Sequence, residues 1–145
     1  QIDYAKIQLD NSSEFLILAK DLVETVIEDK YTIIETLKGA ALKGLAYEPL
    51  FDFIKGNENS HRIVTGSFVT TQDGTGVVHM APAYGEDDYQ TCIKNNIPIE
   101  IIVEANGNFS PIAGEFAGLN IKIADPEIVT NLKKRNLLFG LRLDW

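Results

Sequence analysis

The backbone punctuation between Gln72 and Tyr89 is the feature that most limits what this chain can become. Asp73-Gly74 is a strong hairpin signal, and Gly74-Thr75-Gly76 supplies a tight turn. Gly76 to Met80 then has the length and β-branched character of a strand, joined through the turn to a predicted strand at Ile63 to Thr71. Pro82 and Gly85 mark a loop, and Glu86-Asp87-Asp88 opens a helix with Tyr89, Cys92 and Ile93 as its apolar stripe. Elements this short and this varied assign the segment to a mixed architecture.

The flanking sequence agrees. Tyr4 to Leu9 and Phe15 to Ala19 read as a hairpin about Asn11-Ser12-Ser13. A helix is predicted from Asp21, where Leu22, Val23, Val26 and Ile27 recur at helical spacing, followed by a strand from Tyr31 to Leu37. Gly39 to Ser60 has no clean period and reads as a long connection, pinned to the body by Tyr47, Phe51 and Phe53. Ile97 to Val103 is strand-like, and Asn106-Gly107 is a second turn. Asp125 as N-cap and Pro126 at the first helical position start a last helix, which closes at Lys133-Lys134-Arg135. Leu137 to Leu143 is expected to be a closing strand. The sum is an α+β domain with a barrel-like, mostly antiparallel sheet and about three helices, residues 1–145 forming one unit.

Composition narrows the classes. Hydrophobic residues make up 45% of the chain, an ordinary globular share, and no apolar run approaches a membrane span. A net charge of −8 repels a phosphate backbone and argues against strong nonspecific nucleic-acid binding. The single cysteine, Cys92, excludes an internal disulfide and fits a reducing, cytoplasmic setting. The missing start methionine, the lack of a leader pattern and the abrupt end at Trp145 give the expectation of a piece of a longer protein.

Two groups can carry chemistry. On a Gly76–Met80 strand, Val78 and Met80 facing the core would leave His79 facing a cleft, although a lone histidine is more often satisfied by a backbone carbonyl. The acids Glu86, Asp87 and Asp88 complement a helix N-terminus, but three in a row exceed that need. Asp88, next to the predicted inner stripe, is placed to lean into a pocket and take a substrate ammonium. A metal site has little support, because no second histidine or cysteine pair lies near His79, and His61 is distant in sequence. Gly74-x-Gly76 fails as a dinucleotide fingerprint, since the third glycine position is His79 and the segment enters a strand. Cys92 reads as core, and Lys133-Lys134-Arg135 most simply as a solvated helix end.

The run Phe68-Val69-Thr70-Thr71-Gln72-Asp73-Gly74-Thr75-Gly76-Val77-Val78-His79-Met80-Ala81-Pro82, continuing into Gly85-Glu86-Asp87-Asp88-Tyr89, resembles the editing domain of isoleucyl-tRNA synthetases. Leu18 to Val23, Leu45 to Phe51, Asn106 to Phe109 and Phe116 to Leu119 extend the resemblance over nearly the whole chain. His79 separates it from valyl enzymes, which usually carry lysine there, and from leucyl enzymes, which usually carry an apolar residue.

This resemblance implies hydrolysis of the ester of mischarged Val-tRNA(Ile). A missing methylene discriminates only about 10–200-fold in an apolar pocket, and the isoleucine enzyme is itself the standing example of that limit. The resemblance implies that Asp88 holds the substrate ammonium and that His79 orients water or a ribose hydroxyl. It also implies that Gly76, Val77, Val78 and Tyr84 line the pocket. The implied partners are the 3′ acceptor end of tRNA(Ile), the valine moiety and the catalytic domain of the parent synthetase, with no membrane. No cofactor or metal is implied for this domain; ATP, magnesium and any zinc belong to the full-length enzyme. The family's threonine-rich strand, which supplies part of the pocket, is absent from these residues. A non-catalytic module binding the amino acid or the acceptor end is therefore the alternative, as is the editing domain of a valyl-type synthetase.

Overall fold

The computed structural model describes residues 2–140. Its regular centre is a three-stranded antiparallel sheet in the order β2-β1-β3, built from β1 (Asp3–Leu9), β2 (Phe15–Ala19) and β3 (Tyr31–Lys38). Alternation explains the central strand. Ala5, Ile7 and Leu9 point to one face and are buried, while Lys6 and Gln8 point to the other. β1 pairs with β2 through Ala5 opposite Leu18 and Ile7 opposite Leu16. Its register with β3 shifts between Lys6 and Ile7, which face Glu35 and Ile33, so Ile34 is the extra residue of a bulge.

The buried face of the sheet is closed by the short helix α1 (Val23–Val26), preceded by a single 3-10 turn at Lys20–Leu22. Ala5, Ile7, Leu9, Leu18, Val23 and Ile27 form one core cluster. Tyr4, Ala19, Leu22 and Leu42 form a second, with Leu42 delivered by α2 (Gly39–Leu42). The remaining helices are α3 (Glu86–Lys94) and α4 (Ile121–Lys134), with a 3-10 segment at Pro111–Phe116 between them. Phe51 and Phe53 stack at 5.4 Å between ring centroids and both meet Phe116 edge-on, so these two pin the long connection as expected, while Tyr47 is exposed and its ring meets His61.

The α+β class holds, but the sheet is open and forms no barrel among the described residues. The strands expected at Ile63 to Thr71, Gly76 to Met80 and Ile97 to Val103 are irregular backbone; an isolated bridge joins Val103 to Phe109, and another, Ala46 with Arg62, ends just before Ile63. Gly74 and Gly76 both take positive φ, 69° and 72°, and bend the chain where a strand would begin. β-branched residues favour a strand only where a neighbouring strand accepts their hydrogen bonds.

The last helix begins earlier than Asp125. Asn120 is the N-cap, its Oδ1 accepting the Lys122 amide at 3.2 Å, and Pro126 lies within the helix. A capping side chain satisfies an orphan N–H wherever the helix starts, so Asn120 overrides the later Asp-Pro signal. Leu137 to Gly140 is not a strand, and the rest of that predicted element lies outside the described residues.

Candidate functional site at the loop before α3

The glycine turn is fastened to the sheet. Ala19 donates its amide to the Thr75 carbonyl at 2.8 Å, and the buried Tyr4 hydroxyl donates to the Gly76 carbonyl at 2.6 Å. A Cβ on Gly76 would sit 2.5 Å from the Ala19 Cβ, so glycine is needed here for closeness as well as for φ. Thr75 Oγ1 accepts the Val77 amide at 3.3 Å and donates to the Val77 carbonyl at 3.1 Å, tightening the exit.

From this anchor the chain runs out through Val77, Val78 and His79, all three exposed, so the expected alternation of faces is absent. His79 has no hydrogen-bond partner among the described residues, and no histidine, cysteine or acidic cluster able to hold a metal occurs among them. His61 is occupied elsewhere, with Nε2 3.3 Å from the Ile54 carbonyl and its ring edge-on to Tyr47.

The loop closes at Asp88. This residue lies in the first turn of α3, and its Oδ2 accepts the Ala81 amide at 2.9 Å. The carboxylate also lies over Gly85, the N-cap, where an added Cβ would meet Oδ2 at 3.0 Å. Oδ1 has no hydrogen-bond partner among the described residues, which leaves half of a partly exposed carboxylate for a cation. Glu86 instead pairs with Gln90 one turn on, at 2.9 Å. Tyr84 turns its hydroxyl toward Ile102 and Val103 and accepts both amides, at 3.2 and 2.9 Å. Its ring stays largely exposed.

Of the expected inner stripe of α3, Cys92 alone is buried; Tyr89 and Ile93 are exposed at 42% and 52%. The thiol is free, and burial first, then the Asp88 charge, pushes its pKa up. That is the setting of a core residue. The sequence thus located Asp88, Gly76 and Tyr84 in one segment, but it did not reveal Ala19, Tyr4 and Ala81, which fix that segment through backbone or distant contacts.

No protein-family profile matches the chain. Comparison with curated proteins assigns the likeness to one class, the aminoacyl-tRNA ligases. Over nearly its full length the chain is similar to isoleucine–tRNA ligase, as a fragment of that enzyme is. It is 42% identical over 136 residues to the isoleucine–tRNA ligase of Clostridium kluyveri, covering 94% of this chain. It is 40% identical over 143 residues to that of Bdellovibrio bacteriovorus, and 43% identical over 145 residues to that of Tetrahymena thermophila. The chain spans only 13–14% of the length of these relatives.

Proposed function

We propose that the chain is the hydrolytic proofreading module of an isoleucine–tRNA ligase, cleaving the aminoacyl ester of Val-tRNA(Ile). The observation that carries this reading is the split use of Asp88. Oδ2 closes the loop on Ala81 while Oδ1 has no partner among the described residues, within the segment that resembles the editing signature. A substrate α-ammonium on Oδ1 would gain a charge-assisted hydrogen bond of about 1.5–3 kcal/mol. His79, exposed in the same loop, would orient the attacking water or a ribose hydroxyl. In the reaction the water oxygen bonds to the acyl carbon, the acyl–ribose C–O bond breaks, and the proton lost by water ends on the ribose oxygen. The tRNA acceptor end carries the ester that this chemistry acts on, and the parent catalytic domain is the partner that the ligase reading implies. The test is deacylation of Val-tRNA(Ile) by the full-length ligase carrying Asp88→Ala; undiminished hydrolysis would sink the reading.

A second reading is a module that binds the valyl moiety or acceptor end without turnover. It is favoured by one observation, the lack of any group orienting His79 among the described residues. Binding of a nonhydrolysable valyl-adenosine analogue, with no cleavage of the parent ester, would select it.

A further inference from the structure

The surface of this chain is not uniform in charge. Thirteen basic residues are set against twenty-one acids, and only at Lys133-Lys134-Arg135 do basic residues stand next to one another. No acid occurs between Ile128 and Gly140, so this stretch carries +3 on a chain of net charge −8. A helix C-terminus favours cations, but the dipole effect is confined to the last turn and is satisfied by one or two. All three side chains are exposed. Among the described residues none is salt-bridged, the one such pair being Lys38 with Asp3.

Arg135 is also held in place. Its guanidinium lies over the Phe51 ring at 5.3 Å, and Nη1 donates to Asn131 Oδ1 at 3.2 Å. Asn131 in turn donates to Glu115 at 2.9 Å, which ties α4 to the 3-10 segment. A guanidinium held over a ring keeps N–H groups for an anion, and arginine recognises phosphate through such a fork of donors. Lys134 helps line an open cleft of about 390 Å³ together with Glu115, Glu127 and Thr130. Those two carboxylates repel an anion seated inside the cleft, so a polyanion is met by the exposed basic side chains at the helix end and not by the cleft.

We propose that the cationic end of α4, Lys133, Lys134 and Arg135, docks the phosphate backbone of an RNA. Resting on the editing reading, that RNA is the tRNA whose 3′ end enters the site; on a repulsive acidic surface, the patch is the local attraction that orients it. The patch acts on binding and not on the ester.

The test uses the full-length ligase carrying Lys133→Ala with Lys134→Ala, leaving Arg135 and its packing intact. Two lost phosphate contacts are expected to lower the slope of log Kd for tRNA(Ile) against log salt by about one to two. The KM for Val-tRNA(Ile) is expected to rise several-fold with kcat unchanged. Hydrolysis of valyl-adenosine, which has no phosphate backbone, stays the same, and Lys133→Arg with Lys134→Arg restores the slope. An unchanged salt slope and KM would overturn the proposal. So would loss of binding to anionic lipid vesicles with tRNA binding intact. Failure of the editing reading is separable, since it appears as undiminished deacylation in Asp88→Ala whatever the salt slope.

Discussion

Asp88 and Ala81 close a loop of their own: the Asp88 Oδ2 takes the Ala81 amide at 2.9 Å, so the carboxylate that faces outward is also the one that shapes the loop. In the proposed reading, loop closure and ammonium binding fall to different oxygens of this one side chain. Conservative and truncating substitutions should separate them.

Asp88→Asn keeps an oxygen able to accept the Ala81 amide but removes the charge. Deacylation of Val-tRNA(Ile) is expected to fall about 10–100-fold, the size of a lost charge-assisted contact, while the unfolding midpoint moves little. Asp88→Ala is expected to lose activity to at least the same extent and also to lower stability by about 1 kcal/mol. Equal activities of Asp88→Asn and the native protein would remove the ammonium-binding role.

Gly76→Ala tests the seat of the turn. The new methyl would meet the Ala19 Cβ at 2.5 Å with φ held at 72°, so strain and overlap act together. A loss of about 1–3 kcal/mol is expected by urea unfolding. Gly74→Ala shares the positive φ but faces open space, and is expected to cost about 1 kcal/mol.

Tyr4 gives the fold an alkaline limit. Burial pushes its phenol pKa above the ordinary value of 10.0. The folded state therefore favours the neutral phenol. This contribution to stability is fully present below pH 10 and is lost as pH rises through the raised native value. Urea midpoints measured between pH 8 and pH 12, as roughly chosen to bracket that value, should fall more steeply for the native protein than for Tyr4→Phe. At neutral pH, Tyr4→Phe leaves the buried Gly76 carbonyl unpaired and is expected to cost about 1–3 kcal/mol.

Cys92 should be chemically silent in the folded chain. It is 1% exposed, and its thiol is held above the usual range by burial and by Asp88. Alkylation by iodoacetamide near neutral pH is expected only after unfolding, with a rate that follows denaturant. Rapid labelling of native protein would contradict the packing of α3.

What the sequence discloses here depends on how local the cause is. The β1–β2 hairpin and β3 were legible because Ala5, Ile7 and Leu9 alternate with polar residues and find partners close by in the chain. Residues 63–71 carry the same strand-favouring side chains, but the structure gives them no ladder to join. Asp125-Pro126 has every mark of a helix start, yet Asn120 caps first and the proline is absorbed inside α4. At the candidate site, spacing marked Gly76 as a turn residue and Asp88 as an acid beside the inner stripe, their pocket roles being implied by the resemblance, whereas the part played by Tyr4 was not visible. Its contact spans 72 positions, and nothing near Tyr4 in the sequence announces it.

The fastening of Thr75 and Gly76 to Ala19 and Tyr4 makes the signature segment non-portable. Residues 74–89 carry the proposed chemistry, but the turn at their start is held by the first hairpin. A transplant of the motif alone into a foreign scaffold would carry the letters and lose the shape. A transferable unit has to include the ends of β1 and β2 and also residues 102–103, which hold the Tyr84 hydroxyl, and variation at Ala19 or Tyr4 alters the seat of the candidate site.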